Sequence, residues 1–303
     1  MNRRSNGEEF LGQDTRSSCS LLARDCNMPD GFLKGRAAVV TGGASGLGRA
    51  IAMRLAGRGA DVCIMSLSSR RVKRVESEVK YFAAVDEIEA TRLDIEETGV
   101  RCVALDGDVC SSADVEEMVG LAVGTFGSLD VLVNNAATNV IHPILNHDDQ
   151  AWRRVVDVNL IGPYLCTRHA LPHMIENGWG RIVSIGSTNA HVGTPDYSAY
   201  AASKHGLLGF NRSLALEVAP HGITANTVSP ATIETPSGEM HLQRWADDQG
   251  LSREAMRKEV MKSYPQGRFL RPEEIADLVV FLCRDEARGI NGEDISVTTG
   301  AMY

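Results

Sequence analysis

The feature that most constrains this chain is its regular alternation of short apolar runs with longer segments of helical periodicity. Such alternation predicts a doubly wound, Rossmann-like α/β fold, with helices on both faces of a parallel sheet. The runs predicted as strands are residues 37–40, 61–65, 102–105, 131–133, 181–185, 224–228 and 294–297. The segments predicted as helices are residues 50–56, 70–98, 113–126, 152–177, 200–219 and 273–283.

The domain organisation follows from where this pattern begins and whether it is interrupted. Residues 1–33 lack apolar periodicity and are expected to form a mobile N-terminal extension. Residues 34–303 contain neither a repeat nor a linker, so we expect one domain, although 303 residues would allow two.

Composition narrows the possible partners. A formal net charge of -8 argues against a nucleic acid or an anionic membrane held by bulk charge. No apolar run approaches the ~20 residues of a membrane-spanning helix, and no secretory signal is apparent. Seven scattered cysteines without a C-x-x-C motif indicate reduced thiols in a cytoplasmic protein, and no metal site is expected.

A glycine-rich turn follows the first predicted strand. Gly42, Gly46 and Gly48 lie between that strand and the first helix of a βαβ unit, which allows a pyrophosphate to approach backbone N–H groups. The alternative is a tight loop without a ligand, which the βαβ context makes less favoured. The absence of a following Gly-Lys-Ser/Thr excludes a kinase-type P-loop.

A tyrosine and a lysine four residues apart open a later predicted helix. Tyr200 and Lys204 share one helix face, where an ammonium lowers the pKa of a neighbouring phenol and suits it to proton exchange near neutral pH. Ser187 ends the preceding strand and supplies a hydroxyl for the same substrate oxygen, while Asn159 can join through water. The pair alone is also compatible with an ordinary amphipathic helix.

Together, these motifs resemble the short-chain dehydrogenase/reductase family over about residues 34–300. The resemblance rests on the glycine turn, Asn134-Asn135-Ala136, Asn159, Ser187 and Tyr200-x-x-x-Lys204, in that order. It implies that Tyr200 is the general acid/base, that Ser187 orients the substrate oxygen and that Asn159 anchors a water. It also implies that Lys204 holds the nicotinamide ribose and lowers the Tyr200 pKa.

The same resemblance implies a set of cofactor contacts. The glycine turn would surround the pyrophosphate and adjoining ribose, Asp108 and Val109 would contact adenine, and later residues would reach the nicotinamide. The full set is Gly42, Ser45, Gly46, Leu47, Gly48, Ser66, Arg70, Asp108, Val109, Asn135, Ala136, Tyr200, Lys204, Pro230, Ile233 and Thr235. The chain departs from the family pattern at Ala137, at Ala231 and at 297–300, which puts the last turn in doubt.

The residues after the second strand favour NADP(H) over NAD(H). An acid there would bind the ribose 2′-OH of NAD, but Ser66 occupies the position. Arg70 and Arg71 follow closely enough to reach a 2′-phosphate, although both also suit a solvated helix start.

The family resemblance places a substrate lid at about residues 232–266. Its apolar residues favour a fairly apolar small carbonyl or alcohol substrate if they line a pocket, with residues 190–193 expected on the same wall. The helices at 152–177 and 200–219 would form the interface of a homotetramer or homodimer. The alternative is that their apolar residues are buried within one subunit.

The function predicted is hydride transfer between NADP(H) and an alcohol/ketone pair. The alternatives are a non-catalytic dinucleotide-binding sensor or scaffold, and an NAD-dependent alcohol dehydrogenase of the same family.

Overall fold

The fold is built on a parallel sheet of seven strands in the order β3-β2-β1-β4-β5-β6-β7. The computed structural model describes residues 31–72, 74–75 and 77–301. The strands are β1 (Ala37–Thr41), β2 (Asp61–Ser66), β3 (Cys102–Asp106), β4 (Val131–Asn134), β5 (Gly180–Ile185), β6 (Ile223–Pro230) and β7 (Asp294–Val297). The strand order reverses between β1 and β4, which is where ligands bind in sheets of this class. The predicted α/β fold is therefore confirmed.

Nine α-helices lie in the described part of the chain. They are α1 (Gly46–Ala56), α2 (Val85–Glu96), α3 (Ser112–Phe126), α4 (Asp149–Val156), α5 (Gly162–Asn177), α6 (Ser198–Val218), α7 (Pro236–Gln249), α8 (Arg253–Met261) and α9 (Pro272–Leu282). None of them is long and apolar enough to cross a membrane.

The core forms two apolar layers, one on each face of the sheet. On one face, α1 and α9 pack on the central strands through residues such as Ile51, Leu55 and Ile275. On the other, α3, α5 and α6 cover the same strands, with Met118 among the fully buried side chains. Because both faces are covered, the strands read as continuous apolar runs rather than alternating ones. The layers fix the carboxyl ends of the strands, where the candidate site lies.

The helix predicted at residues 70–98 is wrong for more than half of that range. Among the described residues of 70–98, only Val85–Glu96 is helical, and those before it form turns, irregular backbone and one isolated bridge at Glu78. Val75 packs beside Val140, whereas Val79 packs beside Ile141 and Tyr197. The apolar residues therefore serve separate tertiary contacts, so their spacing only imitates one helix face.

The predicted helix at 152–177 is interrupted. It consists of α4, a π-helical turn at Asp157–Ile161, and α5. Such π-turns occur frequently at functional sites, and this one carries Asn159.

The N-terminal boundary predicted after residue 33 falls within a segment that packs on the fold. Leu33 is buried against the core, and its N–H donates to the carbonyl of Arg58 at 3.0 Å. The predicted mobility of residues 1–30 lies outside the described residues.

Candidate active site

The glycine turn joins β1 to α1 and leaves no room for a side chain at Gly42 or Gly48. A Cβ on Gly48 would lie 2.0 Å from the carbonyl oxygen of Gly42, and Gly42 itself has φ +64°. Ser45 is the N-cap of α1, but its side chain makes no capping hydrogen bond and no acidic residue occupies the first turn. The N-terminus of α1 therefore presents N–H groups without a local anionic partner, which is the arrangement that binds phosphate.

Neighbouring elements hold this turn in place. The Asn135 amide donates to the carbonyls of Thr41 and Gly42 at 2.9 and 3.2 Å. The Ser66 hydroxyl accepts from the N–H of Ala44 at 3.0 Å. Asn135 and Ser66, both predicted as cofactor contacts, are thus also structural supports of the turn.

The glycine turn and the Tyr-Lys pair line one cavity of about 430 Å³. This cavity, which we call the catalytic cavity, lies at the carboxyl ends of β1, β4, β5 and β6. Many predicted site residues line it: Gly42, Ser45, Gly46, Leu47, Gly48, Asn135, Ser187, Tyr200, Lys204, Pro230, Ile233 and Thr235. The sequence prediction thus brought together residues from five separate segments.

Tyr200, Lys204 and Ser187 converge within the catalytic cavity. The Lys204 ammonium lies 5.5 Å from the centre of the Tyr200 ring and donates to the carbonyl of Ile185 at 2.7 Å. The Tyr200 and Ser187 hydroxyls are hydrogen bonded. Because Tyr200 and Lys204 both lie near the start of α6 while Ser187 follows β5, the junction of strand and helix sets this geometry.

Burial dominates the electrostatics of the pair. It raises the pKa of Tyr200, and the hydrogen bond with Ser187 opposes that rise. It also lowers the pKa of Lys204 to about 7, with repulsion from Lys80 acting in the same direction. The raised Tyr200 pKa differs from the predicted lowering, because burial of the phenol is the largest influence on it.

Asn159 lies behind the cavity rather than on its wall. It is 1% exposed, and its amide exchanges two hydrogen bonds of 2.9 Å with the backbone N–H and carbonyl of Thr138. A third bond, of 3.1 Å, reaches the Ser203 hydroxyl on α6. Asn159 therefore ties the loop after β4 to the helix that carries Tyr200, and its side-chain bonds are internal to the protein.

A second, smaller cavity of about 60 Å³ adjoins the first near the ends of β2 and β3. It is lined by Asp108 and Val109, which the family resemblance predicts as adenine contacts, and by Ala136, which it predicts in the cofactor channel. The Asp108 carboxylate forms an ion pair of 3.0 Å with Arg154 on α4. We call this space the adenine-side cavity.

The two arginines predicted to read a 2′-phosphate do not line either cavity. Arg71 forms an ion pair of 2.8 Å with Asp114 and donates to the carbonyl of Asp106. Arg70 is exposed to solvent. Ser66 does line the adenine-side cavity, so the absence of an acid at this strand end is retained in the structure.

The substrate side differs from the prediction. Residues 190–193 do not line the catalytic cavity, and His191 instead pairs with Asp294 at 2.6 Å. Besides residues of the predicted lid, the wall includes polar and aromatic residues that the sequence analysis did not single out: Lys80, Asn139, Thr188, Asn189, Thr194, Tyr197 and His241. Tyr197 immediately precedes α6, and its position three residues before Tyr200 could have indicated that it lines the cavity. The sequence offered no such indication for Lys80, because the segment around it resembled a helix.

The lid predicted at 232–266 contains α7 and α8. Leu242 and Met256 form a small core between them, together with Tyr264. Trp245 reaches the catalytic cavity and donates from its indole N–H to the Tyr197 hydroxyl at 2.7 Å. The lid therefore contributes both its own core and part of the cavity wall.

Comparisons with known proteins find similar chains over most of this sequence. A family profile described as "Enoyl-(Acyl carrier protein) reductase" matches residues 42–302. D-beta-hydroxybutyrate dehydrogenase of Cupriavidus necator is 33% identical over 264 residues, covering 86% of this chain and 95% of the relative. A 3-oxoacyl-(acyl-carrier-protein) reductase of Aquifex aeolicus is 35% identical over 268 residues, covering 88% and 98%. The crystal structure of levodione reductase superposes with a TM-score of 0.78 at 30% identity, covering 88% and 97%.

The chain belongs to the short-chain dehydrogenase/reductase family. It is an oxidoreductase that acts on CH–OH groups or the corresponding ketones with a nicotinamide dinucleotide. The glycine turn is consistent with that cofactor, because a Cβ at Gly42 or Gly48 would collide with Asn135 or the Gly42 carbonyl and so disturb the close packing of the turn on α1.

Proposed function

We propose that the protein interconverts a small ketone and its alcohol, with Tyr200 as general acid/base and NADP(H) as the preferred cofactor. The observation that carries the proposal is the meeting of Tyr200, Lys204 and Ser187 in one cavity with the glycine turn. When bound, the nicotinamide supplies or accepts the hydride. The protein contributes position, proton transfer and exclusion of water.

In the reducing direction, the substrate carbonyl oxygen lies between the Ser187 and Tyr200 hydroxyls. The Tyr200 hydroxyl gives its proton to that oxygen as the carbonyl carbon accepts a hydride, and the product is an alcohol. The reverse reaction returns the proton to the Tyr200 oxygen. Such proton transfer typically contributes 10²- to 10⁴-fold to the rate.

Lys204 acts through Tyr200 and the ribose. A protonated Lys204 stabilises the tyrosinate left after proton transfer, and its ammonium would hold the ribose of a bound cofactor. The Lys204 pKa would rise from about 7 beside the negative phosphates of a bound cofactor, because opposite charge favours the ammonium. Asn159 fixes the loop after β4 against α6 and so maintains the geometry of this relay.

The preference for NADP(H) rests on the end of β2. Ser66 supplies no carboxylate to bind a 2′-OH or repel a 2′-phosphate, and Arg70 lies four residues further on. We expect Arg70→Ala to weaken NADPH binding by roughly tenfold and leave NADH binding nearly unchanged. Fluorescence titration with both dinucleotides measures this, with Arg58→Ala as a distant control. Tighter binding of NADH by the wild type contradicts the preference.

The experiment that tests the catalytic proposal is Tyr200→Phe. We expect ketone reduction to fall by about 10² or more while dinucleotide affinity is retained, since only the hydroxyl is lost. A screen of ketones with the wild-type protein provides the substrate. Full turnover by Tyr200→Phe would refute the assignment. A biological role that survives the substitution would favour the non-catalytic sensor or scaffold.

Assembly and location complete the proposal. Among the residues expected at a subunit interface, Leu207, Leu208 and Leu214 are buried within one chain, whereas Ile161 is 41% exposed. Tyr164, one turn further along α5, is 43% exposed. We propose a cytoplasmic homotetramer or homodimer that buries this exposed face. Light scattering at the monomer mass would contradict the oligomer, and cell fractionation tests the location.

A further inference from the structure

A segment between β2 and α2 lines the adenine-side cavity and reaches the catalytic cavity. Residues 77–84, which we call the strap, pair with the loop after β4 through a bridge between Glu78 and Val140. The Val79 N–H donates to the carbonyl of Asn139 at 2.8 Å. The Tyr81 N–H donates to the Ser237 hydroxyl in the first turn of α7 at 3.2 Å. The strap is thus anchored to both sides of the catalytic cavity.

The strap brings Lys80 to the place where the two cavities adjoin. Lys80 lines both the adenine-side cavity and the catalytic cavity. Its charge acts on Lys204 and on His241, so all three side chains share one electrostatic environment. Glu78 is the carboxylate that acts on Lys80, but one of its oxygens accepts from the Thr138 hydroxyl at 2.6 Å. No ion pair in the described part of the chain involves Lys80.

Two further polar groups in the catalytic cavity lack a hydrogen-bonding partner within the described part of the chain. Asn139 is 3% exposed, and its amide oxygen lacks a hydrogen bond within the described residues. The buried Nδ1 of His241 lacks one as well, although the ring stacks on Tyr197 at 6.5 Å. Unsatisfied buried polar atoms are rare in native proteins and call for a ligand or water. Both residues line the catalytic cavity and not the adenine-side cavity.

We propose that Lys80, Asn139 and His241 form a subsite that binds an anionic group, a carboxylate, on the substrate. The inference rests on the proposed ketone/alcohol activity of the same cavity. The cofactor phosphates are the competing anion, but the glycine turn already provides their cradle. Asn139 and His241 line the catalytic cavity and not the adenine-side cavity. This placement assigns the subsite to the substrate.

The chemistry of the three groups suits a carboxylate. The ammonium supplies charge and up to three N–H donors, and the amide presents its NH₂ after a half-turn of the side chain. Burial, and to a smaller extent the nearby Lys80 charge, lowers the pKa of His241 to about 4. At neutral pH the ring therefore serves as a neutral hydrogen-bonding group. Burial also lowers the pKa of Lys80 to about 8, against the influence of Glu78. A bound carboxylate would favour the charged lysine.

The test compares matched ligands of the dinucleotide-saturated protein by calorimetry. The probes are benzoate and benzamide, and cyclohexanecarboxylate and its carboxamide, which differ in charge but little in shape. We expect each carboxylate to bind at least about tenfold more tightly than its amide, as a charged hydrogen bond implies. Lys80→Met should abolish the preference and Lys80→Arg should retain it. The control Lys258→Met changes an exposed lysine of the lid and should leave it intact.

The outcomes separate this subsite from the proposed function. Equal or absent binding of carboxylates and amides by the wild-type complex overturns the subsite. So does a loss of dinucleotide affinity in Lys80→Met as large as the loss of carboxylate affinity, because Lys80 then serves the cofactor. If the wild type binds no dinucleotide, the proposed function fails first, and the subsite that rests on it fails too.

Discussion

Replacing Lys204 with methionine should stabilise the cofactor-free protein while abolishing its activity. Lys204 is 2% exposed, and burial lowers its pKa from 10.5 to about 7. Since one pKa unit corresponds to about 1.4 kcal/mol, the charged lysine costs the fold about 5 kcal/mol at and below pH 7. Methionine fills similar space without charge, but it removes the 2.7 Å hydrogen bond to the Ile185 carbonyl. That loss costs about 2 kcal/mol, which leaves a net gain of about 3 kcal/mol.

The sign of the pH dependence follows from the lowered pKa. Between pH 7 and 10.5 the unfolded chain binds the Lys204 proton and the folded chain does not, so wild-type stability rises with pH across that window. The advantage of Lys204→Met is therefore largest below pH 7. It shrinks as pH rises and, by the same figures, vanishes near pH 9, where a neutral lysine keeps its hydrogen bond.

Urea unfolding at pH 6, 7.5 and 9 measures this difference. The variant should have the higher midpoint at pH 6, and the gap should narrow at pH 9. The control is Lys34→Met, which changes an exposed lysine and should shift stability by no more than about 0.5 kcal/mol. A variant less stable than wild type at pH 6, or a gap that does not change with pH, would refute the assignment of a buried charge to Lys204.

Three further substitutions test the surrounding structure. Gly48→Ala should abolish dinucleotide binding in a fluorescence titration, because its Cβ clashes with the turn at 2.0 Å, whereas Gly120→Ala, which has open space, should bind normally. Asn159→Leu should lower the free energy of unfolding by about 2–4 kcal/mol in urea, because it leaves buried backbone groups of Thr138 unpaired. Leu242→Ala should cost about 2–5 kcal/mol on the same measurement, since this side chain is 1% exposed. Unchanged dinucleotide binding by Gly48→Ala would contradict the predicted clash. An unchanged free energy of unfolding in Asn159→Leu or Leu242→Ala would contradict the contacts assigned to those side chains.

The fold and the catalytic cavity followed from local sequence signals. Apolar runs marked every strand, and the functional residues stood just after strands or at a helix start, where parallel topology brings them together. Gly42, Ser187, Tyr200 and Pro230 were predictable for that reason, and all line one cavity. These positions depend on the chain's regular elements, whose periodicity is readable without tertiary information.

The strap and the polar wall could not be predicted in the same way. Val75 and Val79 stand at helical spacing but pack in different clusters, so their periodicity carried no information about conformation. Lys80 reaches the cavity only because hydrogen bonds to the loop after β4 and to α7 hold the strap extended. These partners lie about 60 and 156 residues away in sequence. Such contacts are tertiary, and a lone lysine gives no sign of them.

The support of the glycine turn has a calorimetric consequence. Ala44 at its centre donates to Ser66 at the end of β2, and its carbonyl accepts from Thr91 on α2 at 2.9 Å. Asn135 holds the start of the turn from the loop after β4. Three elements thus order the turn within the protein itself, so dinucleotide binding need not freeze this backbone. Binding should then show the heat-capacity change of buried surface alone, and the Ala44 amide should exchange slowly with solvent even without cofactor.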